Sequence, residues 1–338
     1  MLQLYFLLTL QCNLSCDFCI RKYGKCDSDY TVRLDEAVQQ MKKAASIFSK
    51  DTLLILSGGE PTVHYEFNEI FEESGKIFDK VSINSNGTFS DIVCNKIISS
   101  NFLSHVTISI DGDRDIHDSI RGNGVFEKAI FNIKKLVKNN IPVMVSSTVN
   151  KYNVDSIFKL AEILEKLNVS IWKISPVQSY TKEKFDEMLS PSEWNRFVDN
   201  IIQKTKLKIN IRKFFDFELF DKMEKKYGKN YLMQNSISNC GFCKNKFYIY
   251  PDYSIFPCTC LTDFKIGNLK TITKNELDQK ILSYKEYAKI KNPVCEQCKW
   301  NYLCNGGCPG YSYYFFGEIG KGDIRCPLLE NYKKMVLR

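Results

Sequence analysis

Cysteine is the residue type in this chain whose number and spacing most directly suggest chemistry. The 338 residues include fourteen cysteines. Four lie in residues 12–26, Cys94 is alone, and nine lie between Cys240 and Cys326. Clustered thiols of this kind are more typical of metal binding or catalysis than of disulfides. The simplest interpretation is two separate metal-binding regions.

The first group contains the N-terminal thiols, which we define as Cys12, Cys16 and Cys19. They follow the apolar run "LQLYFLLTL", which raises four possibilities: a secretion signal, a disulfide knot, a zinc site or an iron–sulfur cluster. The run is short and lacks a basic leader, so a buried strand is favoured over a signal peptide. Three thiolates are one short of a closed four-thiolate site. The missing ligand suggests a cluster iron left free for a substrate or cofactor.

A second polar feature follows the apolar run "LLIL". There the segment "GGEP" contributes Gly58, Gly59, Glu60 and Pro61. Glycines let a backbone approach a ligand closely, and backbone carbonyls together with Glu60 can accept hydrogen bonds from an ammonium group. Asn84 and Asn86 follow the next apolar run and are further candidates for this site, although asparagine is also a common turn residue.

The N-terminal thiols and the "GGEP" segment can form one site only if strands and helices bring them together. Short runs rich in Val, Ile, Leu and Thr predict strands, namely "LQLYFLLTL", "TLLIL", "KVSIN", "HVTISI", "PVMVSS" and "SIWKIS". Helical patterns lie between them: Phe126, Ala129, Ile130, Ile133 and Val137 share one face, as do Ile157, Leu160, Leu164 and Leu167. Alternating strands and helices predict an α/β fold with a parallel sheet, in the form of a partial (β/α)6 TIM-like barrel. Reactive loops of such a barrel lie at the carboxyl ends of the strands.

The chain divides into three predicted regions. Residues 1–180 form the partial barrel. Residues 181–234 form a charged helical connection in which Ser190 or Ser192 caps "SPSEWNRFVDNIIQKTK". Residues 235–338 form a loop-rich, Cys-rich domain, because Cys, Gly, Pro and aromatic residues dominate there and loop-rich modules need staples; the resemblance described below implies that it is an iron–sulfur domain.

"CNLSCDFC" resembles the C-x3-C-x2-C motif of radical S-adenosylmethionine (SAM) enzymes, including Phe18 before the last cysteine. The resemblance implies that the N-terminal thiols hold a [4Fe–4S] cluster whose fourth iron is chelated by SAM. It implies that "GGEP" holds the SAM amino group and that Ser109 and Arg121, in "SIDGDRDIHDSIRG", contact the ribose and carboxylate of SAM. Arginine suits a carboxylate because its guanidinium is a bidentate fork.

The C-terminal cysteines resemble the SPASM extension of radical SAM enzymes. The motif "CEQCKWNYLCNGGC" and "IGNL" both fit this extension. The resemblance implies two auxiliary [4Fe–4S] clusters, for a total of three, with one ligand set being Cys240, Cys243, Cys258 and Cys308 and the other Cys295, Cys298, Cys304 and Cys326. One position departs from the family, since Tyr253 stands where a glycine is usual, and Cys260 is an alternative to Cys258. Cys260 is also a possible thiol hydrogen donor.

Charge and composition restrict the partners. The net charge is +8, which a solvated lysine-rich surface explains better than nucleic-acid binding. No eighteen-residue apolar run is present, so we expect no membrane span. We expect a cytoplasmic location. The resemblance implies a flavodoxin- or ferredoxin-like electron donor. The first predicted strand begins at Leu2, so we expect any leader peptide to be bound by another surface or by a separate protein.

SPASM-type enzymes mostly modify peptides or proteins, and the resemblance therefore favours a maturase that abstracts hydrogen from a residue of a ribosomally made peptide, leading to a crosslink, a thioether or an epimerised residue. Two enzyme alternatives are an anaerobic sulfatase maturase and a small-molecule SPASM enzyme. In sulfatase maturases an Asp follows the third auxiliary ligand, whereas Thr259 follows Cys258 here. The non-enzyme alternative is a zinc-stapled binding module.

Overall fold

The strands form a single sheet. The computed structural model describes residues 1–20, 30–234 and 245–337. Within these ranges the strands are β1 (Gln3–Thr9), β2 (Leu53–Gly58), β3 (Lys80–Ser85), β4 (Leu103–Ser109), β5 (Val143–Val149), β6 (Ile171–Pro176), β7 (Ile209–Asn210), β8 (Lys246–Ile249), β9 (Ser254–Phe256) and β10 (Gly267–Asn268). Their spatial order is β10-β9-β8-β1-β2-β3-β4-β5-β6-β7. All neighbours from β8 to β7 are parallel, whereas β9 and β10 pair antiparallel.

The six predicted strands of the barrel are confirmed as β1 to β6, each followed by helical structure. The described helices are α1 (Leu34–Phe48), α2 (Phe67–Ile77), α3 (Asp91–Ile98), α4 (Arg114–Arg121), α5 (Val125–Lys138), α6 (Val154–Leu167), α7 (Lys182–Phe185), α8 (Pro191–Lys204), α9 (Phe217–Tyr227), α10 (Lys229–Gln234), α11 (Lys274–Tyr287), α12 (Pro293–Glu296), α13 (Asn301–Cys304), α14 (Pro309–Phe316) and α15 (Glu330–Leu337). None of them is both long and apolar enough to cross a membrane.

The predicted helical faces are buried as their periodicity requires. The face of α6 that contains Ile157, Leu160 and Leu164 is fully buried against the sheet. In α5 the buried face includes Leu136, and its neighbour Val137 is only partly buried. The start of α8 is capped by Ser190, whose side chain accepts from the Glu193 amide in a reciprocal capping box.

Side chains of the strands alternate between an apolar outer layer and a polar interior. In β1, Leu4, Phe6 and Leu8 are buried in the core between sheet and helices, whereas Gln3 and Tyr5 line an interior cavity. This alternation follows from the two-residue period of a strand. The interior of the barrel is therefore an open space with a mixed wall, in which Gln3 and Tyr5 lie beside apolar side chains such as Leu53 and Ile55.

Residues 246–268 extend this sheet. β8 pairs with β1 in parallel, and β8–β9–β10 form an antiparallel extension beyond it. The sequence does not predict these strands because they are only four, three and two residues long, too short for periodicity to stand out. The sheet thus continues from the predicted barrel into the cysteine-rich region, while the three region boundaries stay predictions.

Candidate functional site

The N-terminal thiols lie in the loop that follows β1, at the carboxyl end of the parallel strands. The loop is compact, since the amide of Cys19 donates to the carbonyl of Cys16 at 3.2 Å and the amide of Leu14 contacts Cys12 Sγ at 3.4 Å. Burial raises the pKa of the Cys16 thiol, as do the neighbouring Cys19 and Cys12, while Arg121 lowers it. The three thiols are therefore close enough to interact electrostatically.

These thiols open onto a large cavity inside the curved sheet. Its volume is about 940 Å³, at the upper end of the range for small-molecule sites. Besides the N-terminal thiols, its wall contains most of the residues that the sequence predicts for cofactor binding: Gly59, Glu60, Asn84, Asn86, Ser109 and Arg121. These residues come from the ends of β2, β3 and β4 and from the last turn of α4, so the parallel topology gathers them as expected.

Gly58 is required for a different reason from the one inferred from the sequence. Its φ is +145°, and a Cβ atom there would lie 2.2 Å from the carbonyl oxygen of Thr9. The amide of Gly59 donates to the same oxygen at 2.9 Å. The close approach that needs this glycine is therefore between the ends of β2 and β1, and it holds the following loop against the thiol loop.

Glu60 is buried and surrounded by donors from its own chain. Its Oε1 accepts from the Thr62 hydroxyl at 2.6 Å and from the Ser85 hydroxyl at 2.9 Å, and its Oε2 accepts from the Asn86 amide at 2.7 Å. Burial raises the pKa of the Glu60 carboxyl, although these hydrogen bonds favour its charged form. Pro61 begins a short 3₁₀ turn that Glu60 caps. Since a carboxylate oxygen can accept two hydrogen bonds, Oε2 retains one acceptor position toward the cavity.

Arg121 is held in place by Asp111, a residue that the sequence-based site does not include. Arg121 Nε lies 2.5 Å from Asp111 Oδ2, and the two side chains are 11% and 0% exposed. Asp111 Oδ1 accepts from the Thr148 amide at 2.7 Å. Arg121 Nη1 lies 3.9 Å from Cys16 Sγ, and its guanidinium lies 6.0 Å from the Phe18 ring. Asp111 and Cys16 outweigh burial and raise the pKa of Arg121. The sequence did offer a sign of this role, because Asp111 lies in the segment "SIDG", two residues after the end of β4.

A second group of thiols surrounds a small cavity in the C-terminal region. We define the distal thiols as Cys295, Cys298, Cys304 and Cys326; all four line this cavity, together with Asp323. Burial and the neighbouring Cys326, Asp323, Cys295 and Cys298 raise the pKa of the Cys304 thiol to about 12. The structure thus brings together the four residues that the resemblance implies as one ligand set.

The other predicted ligand set is described in part. Cys240 and Cys243 lie outside the described residues, as does Cys26. Cys258 and Cys308 both pack against an apolar cluster around Tyr180 and Tyr311, and with Cys260 both raise the pKa of Tyr180, after burial. Cys260 is buried in that cluster, with its Sγ 3.5 Å from Gln178 Oε1. Cys260 is absent from the described wall of the large cavity, and both ligand alternatives stay predictions.

The unusual Tyr253 adopts the conformation for which glycine is suited. Its φ is +67°, in the left-handed region that side chains seldom adopt. Tyr253 closes the β8–β9 turn, donating its amide to the Tyr250 carbonyl at 2.9 Å. Its ring is buried, with Lys270 Nζ 4.2 Å from the ring centroid. The departure from the family therefore preserves the turn, and packing of the ring offsets the backbone strain.

The thiol groups fit iron–sulfur clusters in their donor chemistry. Among the residues described, no three His, Cys, Asp or Glu side chains converge on a point that would hold a single metal ion. A [4Fe–4S] cluster has a different requirement, because each thiolate binds its own iron. Two other residue types that often bind metals lie in structural surroundings here: Cys94 is buried in the core, and the buried His64 contacts the Val32 carbonyl.

Comparisons with known proteins agree with this geometry. The model of the Radical SAM superfamily matches residues 6–189. The chain is 26% identical over 324 residues to the cysteine-type anaerobic sulfatase-maturating enzyme of Clostridium novyi, covering 88% of this chain and 84% of the relative. It is 24% identical over 340 residues to the AdoMet-dependent heme synthase of Methanosarcina barkeri, covering 94% of each. It is 25% identical over 318 residues to the antilisterial bacteriocin subtilosin biosynthesis protein AlbA of Bacillus subtilis, covering 90% of this chain and 66% of that protein.

Two solved structures share the fold. SuiB of Streptococcus suis bound to the precursor peptide SuiA has a TM-score of 0.77 at 14% identity and covers 97% of this chain and 75% of its own. Native anSMEcpe with bound AdoMet has a TM-score of 0.74 at 22% identity, and the match covers 99% of this chain and 96% of that chain. The family's cofactors are SAM and a [4Fe–4S] cluster, which suit the thiols and the cavity described above. Because the family model matches more than half of the chain and spans β1 to β6, the chain belongs to the radical SAM superfamily of enzymes.

Proposed function

We propose that this enzyme modifies a ribosomally made peptide by removing a hydrogen atom from one of its residues, which leads to a crosslink, a thioether or an epimerised residue. The observation that carries the proposal is that the N-terminal thiols, Glu60, Ser109 and Arg121 line one cavity of about 940 Å³. Such a cavity has space for SAM and for one substrate side chain beside it.

The residues in the wall have separate tasks. The N-terminal thiols would hold the [4Fe–4S] cluster, which with SAM would supply the radical chemistry for hydrogen abstraction. Arg121, already oriented by Asp111 at 2.5 Å, binds the SAM carboxylate. Glu60 Oε2 and the backbone of the "GGEP" segment accept hydrogen bonds from the SAM amino group, and Ser109 donates to the ribose. Because Arg121 and Glu60 are held by their own chain before SAM arrives, they lose little conformational freedom on binding.

The C-terminal thiols extend the proposal to two auxiliary [4Fe–4S] clusters. The distal thiols form one ligand set, and Cys240, Cys243, Cys258 and Cys308 form the other. Four thiolates close the coordination of a cluster, so these two clusters transfer electrons or stabilise the domain and do not bind a second SAM. A flavodoxin- or ferredoxin-like protein is the proposed electron donor.

A peptide substrate is supported by two of the related proteins. SuiB was solved with a precursor peptide, and AlbA is a bacteriocin biosynthesis protein. A sulfatase maturase is the second candidate, because the relative from Clostridium novyi matches most of both chains. Thr259 after Cys258 speaks against it, since a threonine cannot serve as the carboxylate base expected at that position. A small-molecule SPASM enzyme is the third candidate, because the chain is also similar to a heme synthase.

Anaerobic purification and assay test the proposal. We expect about twelve irons per chain for three [4Fe–4S] clusters, and reductive release of 5′-deoxyadenosine from SAM. One or two zinc ions per chain without SAM cleavage would indicate the zinc-stapled binding module instead. The substrate class is tested with the products of neighbouring genes: a mass change in a short precursor peptide supports the peptide maturase, and a mass change in a sulfatase supports the alternative.

A further inference from the structure

The interior wall of the cavity carries an excess of positive charge. Among its described residues are four cationic side chains, Arg121, Lys173, Arg212 and Lys246, but only one carboxylate, Glu60. Asp111 already neutralises Arg121. His105 adds no negative charge, and burial lowers its pKa, which favours the neutral ring. Apart from Glu60, the described wall therefore supplies no carboxylate to pair with Lys173 and Lys246.

Lys173 is the clearest case of an unbalanced charge. It lies on β6 directly opposite Ser146 of β5 and Asn210 of β7, and all three side chains line the cavity. The structure shows no ion pair or hydrogen bond from the Lys173 ammonium to another described residue. Burial lowers its pKa, Lys246 lowers it further, and no carboxylate raises it. Lys173 is half-buried, and an ammonium partly removed from water without a counter-ion is costly.

Lys246 lies on a strand that is distant from β6 in the sheet order. It begins β8, opposite Gln3 of β1, and five strands separate β8 from β6 in the sheet order. Both lysines line the same cavity, and Lys246 lowers the pKa of Lys173 in addition to burial. Two like charges near one cavity repel each other, and an anion between them converts this repulsion into two attractions.

We propose that Lys173 and Lys246 form an anion-binding subsite that takes a carboxylate of the substrate. This rests on the peptide-maturase function and names its substrate class: a peptide with an aspartate or glutamate close to the modified residue. The carboxylate lies between the two ammonium groups, and Ser146 and Asn210, on either side of Lys173, donate hydrogen bonds to its oxygens. Charge-assisted hydrogen bonds of this kind are among the stronger polar contacts.

The carboxylate of SAM is a second possible source of the same chemistry, and the two sources predict different results. If the lysines serve the substrate, Lys173→Met leaves SAM affinity within about twofold of wild type and weakens binding of an acidic peptide by about tenfold, as the loss of a hydrogen bond to a charged group does. If they serve SAM, the affinity for SAM falls instead. Equilibrium dialysis of SAM against the unreduced, reconstituted enzyme measures this arm.

The peptide arm uses a random ten-residue peptide library, displayed and selected on the reconstituted enzyme with SAM. We expect peptides selected by the wild type to carry Asp or Glu over Asn or Gln at one position. Lys173→Met and Lys246→Met should each lose this preference. Lys128→Met is the matched control and should retain it, because Lys128 is exposed on α5, outside the barrel.

Each result decides something. An acidic preference that persists in both variants overturns the inference, as does a SAM affinity that falls tenfold in Lys173→Met. Selected peptides without an acidic preference overturn the inference and leave the peptide-maturase function standing. Failure of the wild type to select any peptide above an enzyme-free control contradicts the peptide-maturase function itself. Removing a half-buried charge that has no counter-ion should raise or maintain thermal stability, so a melting curve shows that each variant is folded.

Discussion

Replacing Asp111 with asparagine tests how Arg121 is held at the cavity. Asparagine keeps the shape of the side chain but removes its charge. Asp111 now accepts from two donors, Arg121 Nε at 2.5 Å and the Thr148 amide at 2.7 Å. The amide nitrogen of asparagine cannot accept, so one of these donors must lose its partner. In addition, the guanidinium of Arg121 loses its ion-pair partner in a nearly buried position and keeps only the more distant Cys16 Sγ at 3.9 Å.

The expected cost follows from the burial of both groups. Removing one partner of a buried ion pair costs about 3–5 kcal/mol. Arg121 is 11% exposed and borders the cavity, so water can solvate it in part and we expect the lower end, about 3 kcal/mol. The free energy of unfolding, measured by urea denaturation of the reconstituted protein under anaerobic conditions, gives this value directly.

A matched surface pair serves as the control. Arg114 and Glu127 also form an arginine–carboxylate pair, but their side chains are 63% and 56% exposed, so Glu127→Gln should change the free energy of unfolding by less than about 1 kcal/mol. The double variant Asp111→Asn/Arg121→Met should lose less than the sum of its single variants, because neither charge is then left alone. Equal losses for the Asp111 and Glu127 variants, or strict additivity in the double variant, would refute the reasoning.

Three further predictions use other parts of the site. Replacing the N-terminal thiols with alanine should abolish release of 5′-deoxyadenosine while iron bound by the C-terminal region persists; cleavage that survives would show that the radical site is misplaced. Gly58→Ala should lower the melting temperature by several degrees, because its Cβ atom would meet the Thr9 carbonyl at 2.2 Å, whereas Gly124→Ala, which also has a positive φ but no atom within 4 Å, should cost less. Burial lowers the pKa of His117 to about 4, below its unfolded value of about 6.5. The unfolded chain therefore binds the proton first, and stability is lost as the pH falls through 6.5 toward 4. The difference between pH 7 and pH 5 should be about 2 kcal/mol, and His117→Gln should remove it; an unchanged pH dependence would contradict the assignment.

Local patterns account for most of what could be predicted about the fold. The six barrel strands and the buried faces of α5 and α6 follow from periodicity, which depends only on neighbouring residues. β7 to β10 were missed because strands of two to four residues are stabilised by pairing with distant strands, not by their own pattern. The positive φ of Tyr253 could not be predicted from its residue type, because packing of the buried ring compensates for an unfavourable backbone conformation.

The sequence by itself determined the chemistry of the site: three thiols spaced after one strand, a "GGEP" segment after the next, and paired sets of cysteines toward the C-terminal end. Their types and spacing encode which ligands are available. Only the tertiary structure decided that Gly58 serves the contact between β1 and β2, that Asp111 orients Arg121, and that Lys173 and Lys246 line the same cavity. These relations join residues far apart in the chain, and they exist only because the curved sheet brings the carboxyl ends and interior faces of its strands around one space.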